Sequence, residues 1–266
     1  MSYMVDFSED FKGKRVVVTG AAGIFGGWIA QAFANAGAHV LLTDKDPARL
    51  SAATESLAGS GHLEFAADLT SDTDIKALLA YIAENWGAAD VLVNNAGIYP
   101  SGFLLDINAD DWDQIFGINL RAPFLVSQGV ARQMIDQGVK GSIINISSGA
   151  ARKMRRSVVP YCVSKTALDR LNKGLAIELA EFGIRVNIVE PGFAPGSEVS
   201  HLTQEHIDSV LGNIPLGRPS QPTDAANAVL FLASDAAAYI TGSTLAADGG
   251  NSIGSLAVYQ AKKKPL

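Results

Sequence analysis

The chain has 266 residues, 48% hydrophobic and 18% charged, which excludes a disordered polymer and provides for a core that needs no disulfide or metal staple. With 21 basic and 27 acidic residues the net charge is −6, so a nucleic-acid partner is not expected. A lone cysteine, Cys162, and the absence of an apolar run of bilayer length or of a signal core in the acidic N-terminus make a reducing, cytoplasmic setting the expectation, with no membrane partner.

Apolar β-branched runs alternate with stretches of helical period. Residues 15–20 read as a buried strand, and Gly23 to Ala36 as the helix after it. A second strand covers 38–44, and Pro47 opens the next helix. A third strand covers 63–69, a helix runs from Asp72 to Trp86, and a fourth strand covers 90–97. A long helix follows from Asp111 to Gln137, interrupted near Pro123.

Residues 141–148 form a fifth strand, Tyr161 to Phe182 a helix ending at Gly183, and 184–192 a sixth strand. A Gly/Pro-rich stretch holds one amphipathic piece around Thr203–Leu211 and is expected to form a substrate lid over 193–215. A helix at Thr223–Ala233 and a strand at 243–250 close the pattern, and 251–266 reads as a tail. Strands apolar throughout, alternating with helices, predict an α/β doubly wound parallel sheet, Rossmann-like, in a single domain. Its ligands should bind at the carboxyl ends of the strands.

Those ends carry the candidate chemistry. Gly20, Gly23 and Gly26 give G-x-x-G-x-x-G at a strand-to-helix turn, where the amides of Ile24 and Phe25 can meet a pyrophosphate. The same turn could serve packing alone. Asp44 ends the second strand, where a carboxylate accepts ribose hydroxyls and repels a 2′-phosphate, favouring NAD over NADP. Its plain alternative is a helix cap, and Lys45 partly offsets the repulsion.

Tyr161 and Lys165 share one helix face, so an ammonium can stabilise a phenolate and lower its pKa. That pair alone occurs often by chance. Ser148, closing a strand 13 residues upstream of Tyr161, adds a hydroxyl that can donate to a carbonyl or alkoxide oxygen. The four histidines show no metal spacing, and no metal is expected.

With the turn at 94–97, Asn119 in GINLRAPF, Ser147–Ser148, Tyr161-x-x-x-Lys165, Pro191–Gly192 and FLASDAAAYITGSTLAADGG (231–250), the chain resembles the compact branch of the short-chain dehydrogenase/reductase family. The resemblance implies an oxidoreductase passing a hydride between NAD and a secondary alcohol or ketone. Tyr161 would be the acid–base and Ser148 would orient the substrate oxygen. Lys165 would bind the nicotinamide ribose and lower the Tyr161 pKa, and Asn119 would hold a relay water. Asp68 and Leu69 would flank adenine, with Asn95, Ala96 and Gly97 also against the cofactor. Ala194, after Pro191–Gly192, would meet the carboxamide, and family members assemble as tetramers or dimers.

Two departures stand out. Ile24 occupies the position where the compact branch usually has its second glycine, and the usual threonine after Pro191–Gly192 is missing, with Ser197 as a substitute. Glu190, just before that Pro-Gly, is a carboxylate near the cofactor end of a strand, and the sequence assigns it no role. Within the same fold the rival is an NADPH-dependent 3-oxoacyl-thioester reductase, and outside catalysis a silent dinucleotide-sensing regulator. The loop joining Ser148 to Tyr161 carries Arg152, Lys153, Arg155 and Arg156. Arg152, Arg155 or Arg156 could hold a small anionic substrate, such as an acid sugar or hydroxy acid, unless the run is simply solvated.

Overall fold

The computed structural model describes residues 7–196, 203–254 and 256. A short helix absent from the predicted pattern, α1 (Ser8–Phe11), precedes the sheet and packs the Phe11 ring edge-on against Phe33, with centroids 4.9 Å apart. The elements that follow are β1 (Arg15–Thr19), α2 (Ile24–Asn35), β2 (His39–Asp44), α3 (Pro47–Glu55), β3 (Leu63–Ala66) and α4 (Asp72–Trp86). Then come β4 (Val91–Asn94), α5 (Ala109–Phe116), a π-helical turn (Gly117–Arg121), α6 (Ala122–Asp136) and β5 (Ser142–Ile146). The chain continues through α7 (Val159–Leu179), β6 (Arg185–Pro191), α8 (Gln204–Leu211), α9 (Pro222–Ala233) and β7 (Thr244–Ala247).

All seven strands are parallel, in the order β3-β2-β1-β4-β5-β6-β7. The two-residue period of a strand explains why one apolar run can serve two layers. Val16 and Val18 face a core with Ile29 and Phe33 of α2 and Val229 of α9. Val17 between them faces Ile82 of α4 and Val130 of α6 on the other side. Strand order reverses direction between β1 and β4, so the crevice for a ligand lies at their carboxyl ends.

A polar ladder crosses the second face. Asn94 donates to Ser127 Oγ at 2.8 Å and to Asn145 Oδ1 at 2.9 Å, and Asn145 donates to Asn172 Oδ1 at 3.0 Å. All four side chains are buried, and Asn94 and Asn145 are register partners of β4 and β5. A one-residue slip of either strand would leave these amides unsatisfied, so the ladder fixes register.

Several predicted elements end differently, among them the strands expected over 90–97 and 141–148, which stop at Asn94 and Ile146. The strand expected over 63–69 stops at Ala66, because Asp68 turns the chain by accepting from Thr70 N and Thr70 Oγ1. The strand expected over 243–250 stops at Ala247, where Gly249 and Gly250 adopt φ of +64° and +86°. The helix break expected near Pro123 lies at 117–121 as a full π turn. Pro123 has no N–H, so the Asn119 carbonyl loses its α-helical partner and the turn widens. Within the expected lid, 197–202 fall outside the described residues, with Ser197 and His201 among them, as do 255 and 257–266 of the expected tail.

Candidate active site

The β1–α2 turn is built for close approach. Gly20 has φ +62°, and a Cβ there would lie 2.7 Å from Ala96 Cα. A Cβ on Gly26 would lie 2.2 Å from the Gly20 carbonyl, so α2 can pack down only with glycine at that position. Gly23 caps α2 with no side-chain hydrogen bond, which leaves the first-turn amides of Ile24 and Phe25 for an anion.

Asn95 holds the crevice together. Its amide donates to the Thr19 and Gly20 carbonyls, both at 3.0 Å, while Thr19 Oγ1 accepts from the Asn95 and Ala96 amides. The side chain expected against the cofactor is thus committed to clamping β1 to β4. Asp44 Oδ2 accepts from Ala22 N at 3.1 Å and Oδ1 from Lys45 N at 2.8 Å, which braces the same glycine turn. Arg49 brings a cation to that edge by donating to the Ala22 carbonyl at 2.9 Å. Asp68 is exposed and Leu69 buried just beyond β3, and hydrogen bonds from Thr70 hold the Asp68 carboxyl below its usual pKa.

Across the crevice, Ser148 follows β5 and its Oγ accepts from Ala150 N at 3.2 Å. Tyr161 stands in the first turn of α7, with its ring 6.0 Å from that of Tyr99. Burial raises the phenol above its ordinary pKa of 10.0, and the Ser148 hydroxyl and the Arg155 charge pull it back. Desolvation is the largest of these effects. Lys165 Nζ lies 5.9 Å from the Tyr161 ring centroid and donates to the Ile146 carbonyl at 2.8 Å. Burial lowers the Lys165 pKa to about 8.

Asn119 is fully buried in the π turn. Its Oδ1 accepts from Ile98 N at 2.9 Å, and its Nδ2 donates to the Ile98 carbonyl at 2.8 Å and to Ser164 Oγ at 3.1 Å. Both amide protons are therefore engaged, and Oδ1 accepts one bond. A Cβ on Gly97 would lie 3.2 Å from Asn119 Oδ1 and 3.6 Å from Lys165 Nζ, so a glycine keeps open the space above Lys165. A Cβ on Gly192, after Pro191, would press on Asp248 Cα at 3.1 Å. Ala194 follows in the described part of the next loop.

The basic loop divides. Arg152 is ion-paired with Glu190 and also donates to Ser252 Oγ at 2.8 Å, and Lys153 donates to the Asn251 carbonyl. Arg156 lies over the Phe103 ring, 5.1 Å from its centroid. Arg155 forms no ion pair among the described residues, and its charge reaches Tyr161. The pairing of Glu190 with Arg152 and the Asn94–Asn145–Asn172 ladder went unread in the sequence. The one signal for Glu190 was a lone carboxylate closing an apolar strand. Among the described residues, no group of three His, Cys, Asp or Glu could hold a metal ion, and no helix is long and apolar enough to cross a membrane.

A nicotinamide dinucleotide fits these residues. The uncapped glycine turn offers amides to a pyrophosphate, Asp44 braces that turn from the end of β2, and Gly97 leaves room above Lys165. The family described as Enoyl-(Acyl carrier protein) reductase matches residues 20–252. The 2,3-dihydro-2,3-dihydroxybenzoate dehydrogenase of Bacillus subtilis is 34% identical over 259 residues, covering 93% of this chain and 99% of that one. The D-threitol dehydrogenase of Mycolicibacterium smegmatis is 36% identical over 253 residues, covering 94% and 96%. A short-chain type dehydrogenase/reductase from Mycobacterium marinum superposes with a TM-score of 0.87 at 34% identity, covering 94% and 98%. The chain is a member of the short-chain dehydrogenase/reductase family and an oxidoreductase.

Proposed function

We propose that the protein interconverts a secondary alcohol and a ketone with NAD, on a small substrate that carries an anionic group. The observation that carries this is the meeting of Ser148, Tyr161 and Lys165 at the switch edge, opposite Asp44 and the glycine turn. When bound, the dinucleotide supplies the two-electron hydride chemistry. Tyr161 takes the proton of the substrate hydroxyl, or returns it in reduction. Ser148 accepts from Ala150 N, so its own hydroxyl proton is available for the substrate oxygen. Lys165 holds positive charge beneath both, anchored by the Ile146 carbonyl. Because the Asn119 amide is engaged by Ile98 and Ser164, a relay water would meet its main-chain carbonyl, whose helical donor Pro123 cannot supply.

An acidic group at the ribose end supports NAD over NADP. Two relatives frame the substrate: one is named for a hydroxylated carboxylate, the other for an uncharged polyol. The Arg155 charge, felt at Tyr161 and without an ion pair among the described residues, favours the carboxylate. Exposed apolar side chains on α5 and α6, Trp112 and Phe124, support a homo-oligomer. The test is absorbance of reduced nicotinamide with NAD or NADP and a panel of alcohols sorted by charge. Turnover of hydroxy acids with NAD is expected, and a preference for NADP with acyl thioesters would replace this reading.

A further inference from the structure

A second polar cluster lies where β6 and β7 end. Glu190 is 2% exposed on β6, immediately before Pro191. Arg152 Nη2 donates to Glu190 Oε2 and, at 2.8 Å, to Ser252 Oγ. Asp248 shapes the adjoining turn, accepting from Gly250 N at 2.9 Å and Ser252 N at 2.8 Å. Lys153 Nζ reaches the Asn251 carbonyl in the same turn. A Cβ on Gly149 would lie 2.7 Å from Ser252 Cβ, so the backbone next to Ser148 rests directly on it.

The link from Arg152 back to Ser148 is short and stiff. Ala151 N donates to the Ser148 carbonyl at 2.9 Å, and Arg152 N to the Gly149 carbonyl at 3.2 Å, within a single 3₁₀ turn. An ion pair, an ammonium–carbonyl bond and a close packing contact thus tie the segment leaving Ser148 to the β6–β7 edge.

Stability does not account for the carboxylate. Burial raises the Glu190 pKa above 4.5, opposed by the charge and hydrogen bond of Arg152 and reinforced by Asp248 and by Asp169 of α7. Asp169 is itself paired with Lys173 and accepts from Thr244 Oγ1 at 3.1 Å. A carboxyl whose folded pKa lies above its unfolded value loses stability as pH rises through that range. Ionised Glu190 is therefore a cost to the folded state at neutral pH, as buried ion pairs often are.

We propose that Glu190 is a positioning residue for Ser148, clamping the 149–153 segment to the sheet edge through Arg152. The proposal rests on the role given to Ser148 above. An ionised Glu190 holds the guanidinium, the guanidinium fixes the 3₁₀ turn, and the turn aims the Ser148 hydroxyl.

The test compares wild type with Glu190→Gln, Glu190→Asp, Arg152→Ala and the Glu190→Gln/Arg152→Ala double variant, using NAD and any alcohol that wild type turns over. Glu190→Gln is expected to lose about 10- to 100-fold in kcat, the scale of a slightly misplaced catalytic group. NAD affinity should be unchanged and Tm at neutral pH equal or higher. The double variant should be no worse than either single one, and Glu190→Asp should recover part of the loss. The ratio of wild-type to Glu190→Gln kcat should fall towards one on the acid side, because the Tyr161 and Lys165 titrations are common to both proteins and cancel in the ratio. Hydrogen–deuterium exchange should rise in 148–153 and 249–253 and stay unchanged in 15–27. Wild-type kcat and exchange in Glu190→Gln would overturn the proposal, and so would a parallel loss of Tm and NAD binding in both single variants. Should Glu190→Gln fail to fold, Arg152→Ala decides, since that side chain is 45% exposed. If wild type oxidised no alcohol with NAD, the proposed reaction would fall, and the exchange comparison, which needs no substrate, would still decide the clamp.

Discussion

Lys165 donates its ammonium to the carbonyl of Ile146 at 2.8 Å, which ties α7 to the end of the strand that leads into Ser148. The lysine is 4% exposed, and burial brings its pKa from 10.5 to about 8. Between those two values the unfolded chain binds the proton and the folded protein does not, so stability rises with pH across that window. Below pH 8 this shift amounts to a cost of about 3 kcal/mol for the buried charge. Lys165→Met is expected to lose at least about 100-fold in turnover, with Tm at pH 7 equal to or above wild type. Melting curves at pH 7 and pH 10 check the sign: the gap between variant and wild type should shrink at the higher pH.

Tyr161→Phe keeps the edge contact with Tyr99 and removes only the hydroxyl that meets Ser148. Turnover should fall about 10²- to 10⁴-fold, the range of general acid–base contributions, while NAD still binds. Stopped-flow turnover and titration calorimetry on one preparation separate the two effects. Retained turnover would remove Tyr161 from the proton-transfer step.

The layers of this fold were legible because strand periodicity and helix caps act locally. Ser71, Asn108 and Thr203 each accept from an amide three residues on, where the predicted helices begin or nearly so. Ser148, Tyr161 and Lys165 were legible through spacing on elements whose type was already fixed. Glu190 and Asn145 were not, since their meaning lies in partners 38 and 27 residues away that no local period brings together. Nor was the rise that burial gives the Tyr161 pKa. Sequence spacing shows which charges are near, and desolvation depends on everything else that packs around the phenol.

Asp44 braces the glycine turn and, in the proposed reading, selects NAD, and two substitutions separate these roles. Asp44→Asn keeps an acceptor for Ala22 N and removes the charge that repels a 2′-phosphate. Asp44→Ala removes both. The ratio of kcat/KM for NAD over NADP should fall about 10- to 100-fold in each, in keeping with charge-assisted hydrogen bonds of a few kcal/mol. Only the alanine variant should also lose stability, and thermal melts distinguish them. An unchanged ratio in both would move cofactor choice to Arg49 and Lys45 at the same edge.

Asn145→Ala should be among the most destabilising changes away from the crevice. It leaves Asn94 Nδ2 without its 2.9 Å acceptor and Asn172 Oδ1 without its 3.0 Å donor, inside a face that water does not reach. Unsatisfied buried groups and lost packing together cost about 2–5 kcal/mol. Chemical denaturation of Asn94→Ala, Asn145→Ala and the double variant should show strong non-additivity, since the double change removes donor and acceptor together. Additive losses would mean that the ladder is two independent contacts.

The substrate prediction turns on how the four cations of the 152–156 loop are used. Glu190 neutralises Arg152, the Asn251 carbonyl holds Lys153, and the Phe103 ring supports Arg156. Arg155 remains without an ion pair among the described residues, and its charge already favours the Tyr161 phenolate. A substrate carboxylate held near Tyr161 would feel the same charge, and a guanidinium can grip a carboxylate through two parallel hydrogen bonds. Arg155→Ala should raise KM for a hydroxy acid and lower kcat/KM about 10- to 1,000-fold, with little change for the matching amide or ester. Arg156→Ala should alter mainly the salt dependence, as a cation at the rim does. Arg155→Lys should recover only part of the loss, because an ammonium lacks the planar fork. The discriminating measurement is kcat/KM for acid and amide side by side in wild type and these variants. Equal preference in wild type, or equal losses on both substrates in Arg155→Ala, would assign the loop to solvent and leave the neutral polyol as the better substrate.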